Sequence, residues 1–311
     1  MRKSTIAICA FLVLLVAASV AMSRGLTAWR RAGLPDAYSG YTADEPPALT
    51  FILAGLGCAR GIAGEILWFR ANRLQDEGRY MELVQIADWI TRLDPRAADA
   101  WAYNAWNLAY NISSLVENPE ERLRWVQNGF SLLRDDALRY NPRSARLYRE
   151  LAWMYLNKVG DKLDAAHQTY KLHLAKEMSP YVDGNGAVKR DAESAEGLRK
   201  HGLDVQRMLA LEQTCGALDW RVAESHALYW AMLGRSYASG AEAMQIQRVL
   251  YQSLLLGFVR GRIVSVSPWR QDMNKSLASA TEREIKLMLD KYPSRDVKKL
   301  YERFRARYAN P

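Results

Sequence analysis

Apolar residues are distributed along this chain in two ways. Near the start they form one uninterrupted run, Ile6 to Met22 (IAICAFLVLLVAASVAM), behind Met1-Arg2-Lys3. From about Leu83 onward they recur instead at spacings of three and four among charged positions, the period of a helix with one buried face. As a helix the run of 17 residues reaches about 25 Å, the short end of a bilayer span and longer than most removable signals. A retained anchor and cleavage after Ser19-Val20-Ala21 are both open. Either delivers the rest of the chain across the membrane. The expectation is a single-pass anchor over residues 1–31 in a bacterial inner membrane, with the helical domain on the periplasmic side. Arg24, Arg30 and Arg31 sit on the far side and weaken that orientation.

Residues 32–47 follow as a linker, because PDAYSGYTADEPP holds three of the ten prolines and no apolar period. The next stretch, 48–69, is apolar and carries Gly55, Gly57, Gly61 and Gly64. Arg60 and Glu65 argue against a second span, so a tightly packed soluble helix is expected, with Gly57 and Gly61 admitting a close neighbour, and whether it also touches the membrane is open. Gly55-x-Gly57 is not a dinucleotide loop, since no strand precedes it.

Prolines then punctuate the amphipathic stretches. Pro95, Pro142 and Pro180 end three of them at separations of 47 and 38 residues, which prompts a search for repeats. Before Pro95, Gly78-Arg79-Tyr80 falls at a turn, and Leu83, Ala87 and Ile90 follow at helical spacing. Trp101, Ala105 and Leu108 form the packed face of a next helix, and Tyr148, Leu151, Ala152 and Tyr155 that of another. This pattern resembles the tetratricopeptide repeat, a 34-residue helical hairpin. Leu83 and Asn104 depart from its usual residues, and one unit is 13 residues too long, which places an insertion near 111–119. Asn118-Pro119-Glu120-Glu121 reads as the cap of the helix that follows.

The resemblance implies an all-α fold: an anchor helix followed by an antiparallel helix-hairpin solenoid with repeats over 48–180. Residues 181–202 are expected as a loop with room for a short helix, and 203–311 as a degenerate repeat with capping helices. Trp230, Leu233, Gly234 and Tyr237 would supply the first helix of that repeat, Ala241 to Leu256 its mate, and Leu277 to Lys291 and Arg295 to Tyr308 the cap. The resemblance also implies a concave groove lined by first helices. Its positions fall on Trp68, Asn72, Gln75 and Asp76; on Trp106, Ala109 and Tyr110; and on Arg146, Arg149, Trp153 and Asn157. Trp, Tyr and Arg dominate protein-binding hot spots, so protein partners are expected, by way of a segment with apolar anchors and an acid. The carboxylate clamp of some relatives is broken by Trp68, Tyr103 and Glu150.

Charge alters this picture little. Of the net +9, residues 1–35 supply five bases and no acid, and the remainder is mixed in sign. Nucleic acid is therefore not expected. The basic cluster between Lys286 and Arg307 leaves an anionic surface as an alternative partner. Candidate chemistry is sparse. No phosphate loop, His-Glu-x-x-His, Cys-x-x-Cys or Gly-x-Ser-x-Gly motif occurs, so no cofactor, metal or small-molecule substrate is expected. Asp183-Gly-Asn185 fails as a calcium loop, because Ala187 and Ser194 stand at ligand positions. The alternative to a non-catalytic scaffold is chemistry near Arg221, Glu224 and His226, where an Asp219 cap and an Arg221–Glu224 pair are the plainer expectation. His167 and His173 fall on different helix faces, and Cys58 and Cys215 read as free thiols.

Overall fold

In a computed structural model the chain divides into two units, Met1–Ala97 and Ala98–Pro311. The backbone is described over residues 47–264, 268–291 and 293–308, and side chains over 61–257, 278–291 and 293–306. The apolar run at 6–22, with Cys9, lies outside these, and of Cys58 only the backbone is described. Among the described residues there are twelve helices and no strand, only an isolated bridge between Val182 and Val188. No described helix is long and apolar enough to cross a membrane.

The first unit is a hairpin of α1 (Pro47–Asp76) and α2 (Tyr80–Leu93). Gly78, at φ 70°, takes the left-handed turn that ends α1, and the Arg79 amide donates back to the Leu74 carbonyl at 2.9 Å. Ala71 and Leu74 of α1 are buried with Leu83, Ile86, Ala87 and Ile90 of α2. Of the glycines of α1, Gly55 and Gly57 lie outside the residues whose side-chain surroundings are described, and Gly61, expected to admit a close neighbour, and Gly64 stand in open space. A Cβ on Gly61 or Gly64 would meet nothing within 4 Å.

The second unit begins with α3, which runs as α-helix over Ala98–Trp106, widens into a π-helical stretch at Asn107–Ile112 and closes at Ser113–Leu115. Helix α4 covers Pro119–Ser131, with a π-helical stretch at Leu132–Ala137 and an end at Leu138–Tyr140. Helix α5 is Ala145–Trp153 with a π-helical Met154–Val159, and α6 is His167–Met178. The segmentation of α3 and α5 repeats at an offset of 47 residues, the sequence separation of the contact between Tyr110 and Asn157. Asp99 meets Arg146 at the same offset, so the two helices run parallel and in register. Ala98 and Ala145, Trp101 and Tyr148, Ala105 and Ala152, and Trp106 and Trp153 are thereby equivalent. The residues beyond a 34-residue hairpin are thus not a single loop inserted at 111–119. They lengthen α3 and α4, and only Val116–Asn118 connects them.

The expected cap is present: the Asn118 side chain accepts from the amides of Glu120 and Glu121, at 2.9 and 3.2 Å, with Pro119 in the first turn. Gly129 lets α4 cross α3, since a Cβ there would lie 2.8 Å from the Ala105 carbonyl oxygen.

After α6 the pattern changes. Pro180 closes the chain into a short 3₁₀ turn, Ser179–Tyr181. The short helix allowed for in the loop over 181–202 is α7 (Ala192–Lys200), which starts 47 residues after Ala145 and is capped by Asp191. Helix α8 is Val205–Cys215 and α9 is Ala223–Arg235. Helix α9 carries Trp230 and Gly234, but it does not continue the parallel series. Its His226 stacks on Tyr155, whereas its Trp230, and Tyr237 just beyond, stack on Tyr148, so α9 lies antiparallel along α5. A Cβ on Gly234 would come within 2.7 Å of the Tyr148 Cβ, which sets how closely the two helices pack. Helices α10 (Gly240–Val264), α11 (Pro268–Lys291) and α12 (Arg295–Tyr308) then pack each on the one before. Helix α10 ends at Val264, and 265–267 lie outside the described residues. One core runs from Trp101 to Ala280.

The crossing at Gly129 makes a stability prediction. Gly129→Ala forces a methyl group against backbone and should cost roughly 1–3 kcal/mol, as overpacking does. Gly61→Ala, into open space, should cost nothing and improve helix propensity. Urea denaturation followed by circular dichroism checks both; a Gly129→Ala midpoint equal to the parent's would refute the close crossing.

Candidate protein-binding face

Positions 99, 106 and 110 lie along one stripe of α3, and 146, 153 and 157 are their counterparts on α5, with Arg149 beside them. Helical spacing and the shared register put Trp106, Tyr110, Arg146, Arg149, Trp153 and Asn157 on one side of the two helices. Trp106, 41% exposed, stacks on Tyr110 with ring centroids 4.1 Å apart and planes 17° apart. The Tyr110 hydroxyl donates to Asn157 Oδ1 at 3.3 Å. Trp153, equivalent to Trp106, is half-buried against the core, and Ala109 is fully buried, so Ala109 does not line a surface.

The arginines of the face carry charge that the chain itself already meets. Arg146 lies 2.5 Å from Asp99, and Arg149 lies 2.9 Å from Glu150 and 2.5 Å from Glu242. A partner's acid would have to displace these carboxylates. Trp68, Asn72 and Gln75 belong to the first unit, where Trp68 is half-buried and Asn72 and Gln75 are exposed on α1.

Beneath the Trp106–Tyr110 stack lies a group of residues that the sequence reading did not single out. Lys158, 5% exposed, places its ammonium 5.0 Å from the centre of the Tyr110 ring and 5.9 Å from that of Tyr170. It donates to Asp164 Oδ2 at 2.6 Å and to Ser113 Oγ at 3.0 Å. Asp164 Oδ1 also accepts from Arg122 at 3.0 Å, from the Ala166 amide at 2.8 Å and from the Tyr170 hydroxyl at 3.2 Å. Arg122 donates in turn to the Val116 and Ser114 carbonyls. Burial pulls the Lys158 ammonium below its ordinary range. Burial pushes Asp164 the other way, but the hydrogen bonds from Lys158 and the Ala166 amide outweigh it and hold the carboxyl low. The one signal in the sequence was a lysine inside the otherwise apolar packed end of a helix, MYLNKV.

The Arg221, Glu224 and His226 group has a different geometry from the one expected. Arg221 pairs with Asp219, through Nε at 2.9 Å and Nη2 at 3.0 Å, rather than with Glu224, which is buried. The residue preceding α9 is Val222, not Asp219. His226 is buried, and its Nε2 donates to the Trp220 carbonyl at 2.9 Å, which leaves the lone pair on Nδ1, an atom with no partner. These contacts lock the turn before α9 onto Gly186, whose φ of 89° and missing Cβ make room for the Asp219 carboxylate. A second histidine, His201, donates from Nδ1 to Glu177 at 3.2 Å, and that bond holds the Glu177 carboxyl below its usual range. His173 faces α4 through Gln127 at 2.7 Å, while His167 faces Lys171.

No group among the described residues gathers three His, Cys, Asp or Glu for a metal ion. Cys215 is a buried free thiol, pushed up to about 11 by burial. In the basic C-terminal helix, Arg305 lies 3.4 Å from Glu282 and Phe304 is buried.

With this geometry in view, comparison against protein-family models, curated proteins and solved structures returns no match.

Two predictions follow the buried charges. Asp164→Ala strands Lys158 and Arg122 without their carboxylate and should destabilise the second unit by about 3 kcal/mol, whereas Lys158→Met, which leaves Arg122 on Asp164, should cost less. Equal urea midpoints for Asp164→Ala and the parent would dismiss the cluster as a brace. Burial also holds His226 down to about 4 from its ordinary 6.5. Between those two values an unfolded chain takes up a proton that the folded chain refuses, so stability falls as pH drops through this window, by about 3 kcal/mol at its end. Glu177 and His201 face the same ring and stay unchanged in the comparison. His226→Phe should therefore flatten the acid limb of stability measured at successive pH values, and an unaltered limb would contradict the assignment.

Proposed function

We propose that this chain is a non-catalytic, membrane-anchored scaffold of tetratricopeptide-like repeats that holds segments of partner proteins against the α3–α5 face. The setting proposed is an envelope or secretion assembly, with residues 6–22 in the inner membrane and the helical units on the periplasmic side. No cofactor, small-molecule substrate or nucleic acid enters this reading. The observation that carries it is the exposed Trp106, stacked on the half-buried Tyr110 of α3, which is joined to the parallel α5 through Asn157. Stacked aromatics offer large apolar area with little side-chain entropy to lose, the property that makes Trp and Tyr frequent anchors at interfaces. Parallel first helices repeated at 47 residues also favour a solenoid that presents equivalent positions, here Trp106 and Trp153, along one surface. Because Arg146 and Arg149 are already paired, the partner segment is expected to bind by apolar and aromatic anchors more than by an acid.

The test is cross-linking of the full-length protein in its native membrane, followed by detergent extraction and identification of the cross-linked partner. Binding of that partner is then measured to the parent and to Trp106→Ala with Tyr110→Ala, each first shown folded by circular dichroism. Loss of two hot-spot rings should weaken binding by roughly 30-fold or more. Undiminished binding to the folded double variant would remove the face from the interaction.

A further inference from the structure

Helix α1 carries a line of large apolar side chains that nothing described in this chain covers. Ile62 is 64% exposed, Ile66 62% and Phe69 76%. At spacings of four and three they lie in a single stripe. Ala71 and Leu74, which α1 buries, fall on its opposite side. In the direction of the chain's C-terminus the stripe ends in Arg73, whose side chain is 73% exposed and meets Glu77. In the other direction the same helix runs back through Ala48 to Ala59, a stretch in which Thr50 is the single polar residue. Isolated exposed apolar residues are ordinary, but an apolar stripe that continues an apolar helix is not.

We propose that α1 lies in the interface of the bilayer that holds residues 6–22, with Ile62, Ile66 and Phe69 set into the boundary between headgroups and acyl chains. The proposal rests on the membrane-anchor reading above. Two features select the bilayer over other occupants. The 24 residues from 23 to 46 span at most about 85 Å in any conformation, so an inserted run at 6–22 keeps α1 within reach of lipid at high effective concentration. An apolar stretch of this length is too short to span; it suits either a buried core helix or an interfacial segment, and the exposure of Ile62, Ile66 and Phe69 together with an arginine at the polar end fits the interfacial one.

The experiment uses the full chain with its three native cysteines changed to serine, reconstituted in phosphatidylcholine–phosphatidylglycerol vesicles. Single cysteines are placed by Ile62→Cys, Ile66→Cys, Phe69→Cys and, as the control on another face of the same helix, Gln75→Cys, and each is labelled with the dye NBD. Brominated lipid should quench the dye at 62, 66 and 69 but not at 75, and aqueous iodide should do the reverse. Iodide access at all four positions overturns the proposal. Shielding at 62, 66 and 69 from both quenchers also overturns it, in favour of cover by protein, either a second copy or another part of this chain. Flotation of the same vesicles separates the two levels. A chain that does not float refutes the anchor itself, whereas one that floats with iodide-accessible positions refutes the docking alone.

Discussion

The second unit depends on one buried pair of charges, Lys158 with Asp164. An ammonium and a carboxylate taken out of water are costly unless each is bonded on several sides, and removal of either partner leaves the other stranded. Here the pair is bonded on several sides. Asp164 receives Lys158, Arg122, the Tyr170 hydroxyl and the Ala166 amide, while Lys158 also reaches Ser113. Those contacts tie the end of α3, the start of α4, the end of α5, the turn that follows it and α6. The elements are fixed in one arrangement, because the directional bonds are satisfied only when all of them are in place. The aromatic stack sits above this centre, so the surface that the face presents is set by a polar group beneath it.

The helical class and its punctuation were legible from the residues. Pro95 and Pro142 do end helices, Gly78 does turn left-handed, and Asn118 caps α4 with its side chain, because each of these acts through local backbone chemistry that neighbouring residues cannot override. The period was not legible in the same way. A 34-residue template reads the extra residues as an insertion, while the structure spreads them through helices that widen into π-helical stretches at Asn107–Ile112 and Met154–Val159. A π-helical stretch takes up extra length without breaking the helix, so it leaves no proline, glycine or polar run to mark it. The equivalence of Trp106 and Trp153 emerges only once the contacts at an offset of 47 are seen.

Beyond Pro180 local signals mislead for another reason. Helix α7 starts one full period after α5, and its polar residues and short length leave it, in the sequence, no more than a short helix within a loop. Helix α9 carries aromatic and small residues at first-helix spacing, and that spacing specifies a buried face without specifying direction. The choice of an antiparallel seat on α5 is tertiary: Gly234 permits backbone contact near Tyr148 only at one end, and His226 finds Tyr155 only at the other. Nothing within α9 itself encodes this. The polar centre was missed for a related reason, since Arg122, Lys158 and Asp164 are separated in sequence and meet only after the hairpins have packed.

The candidate face also shows why residue type alone is a weak guide to binding. Arg146 and Arg149 have the composition of an acid-binding surface, yet Asp99, Glu150 and Glu242 meet them from α3, α5 and α10. The Asp99–Arg146 pair holds α3 and α5 in register, and all three pairs remove charge from the surface that a ligand would see. What remains distinctive there is apolar: an indole stacked on a phenol whose hydroxyl is fixed by Asn157 and whose ring is backed by a buried ammonium. The Lys158 charge is bound on its far side by Asp164, so it polarises the ring without offering itself to a ligand. A surface built this way discriminates by shape and aromatic contact, and its affinity should vary little with salt compared with one that uses free arginines.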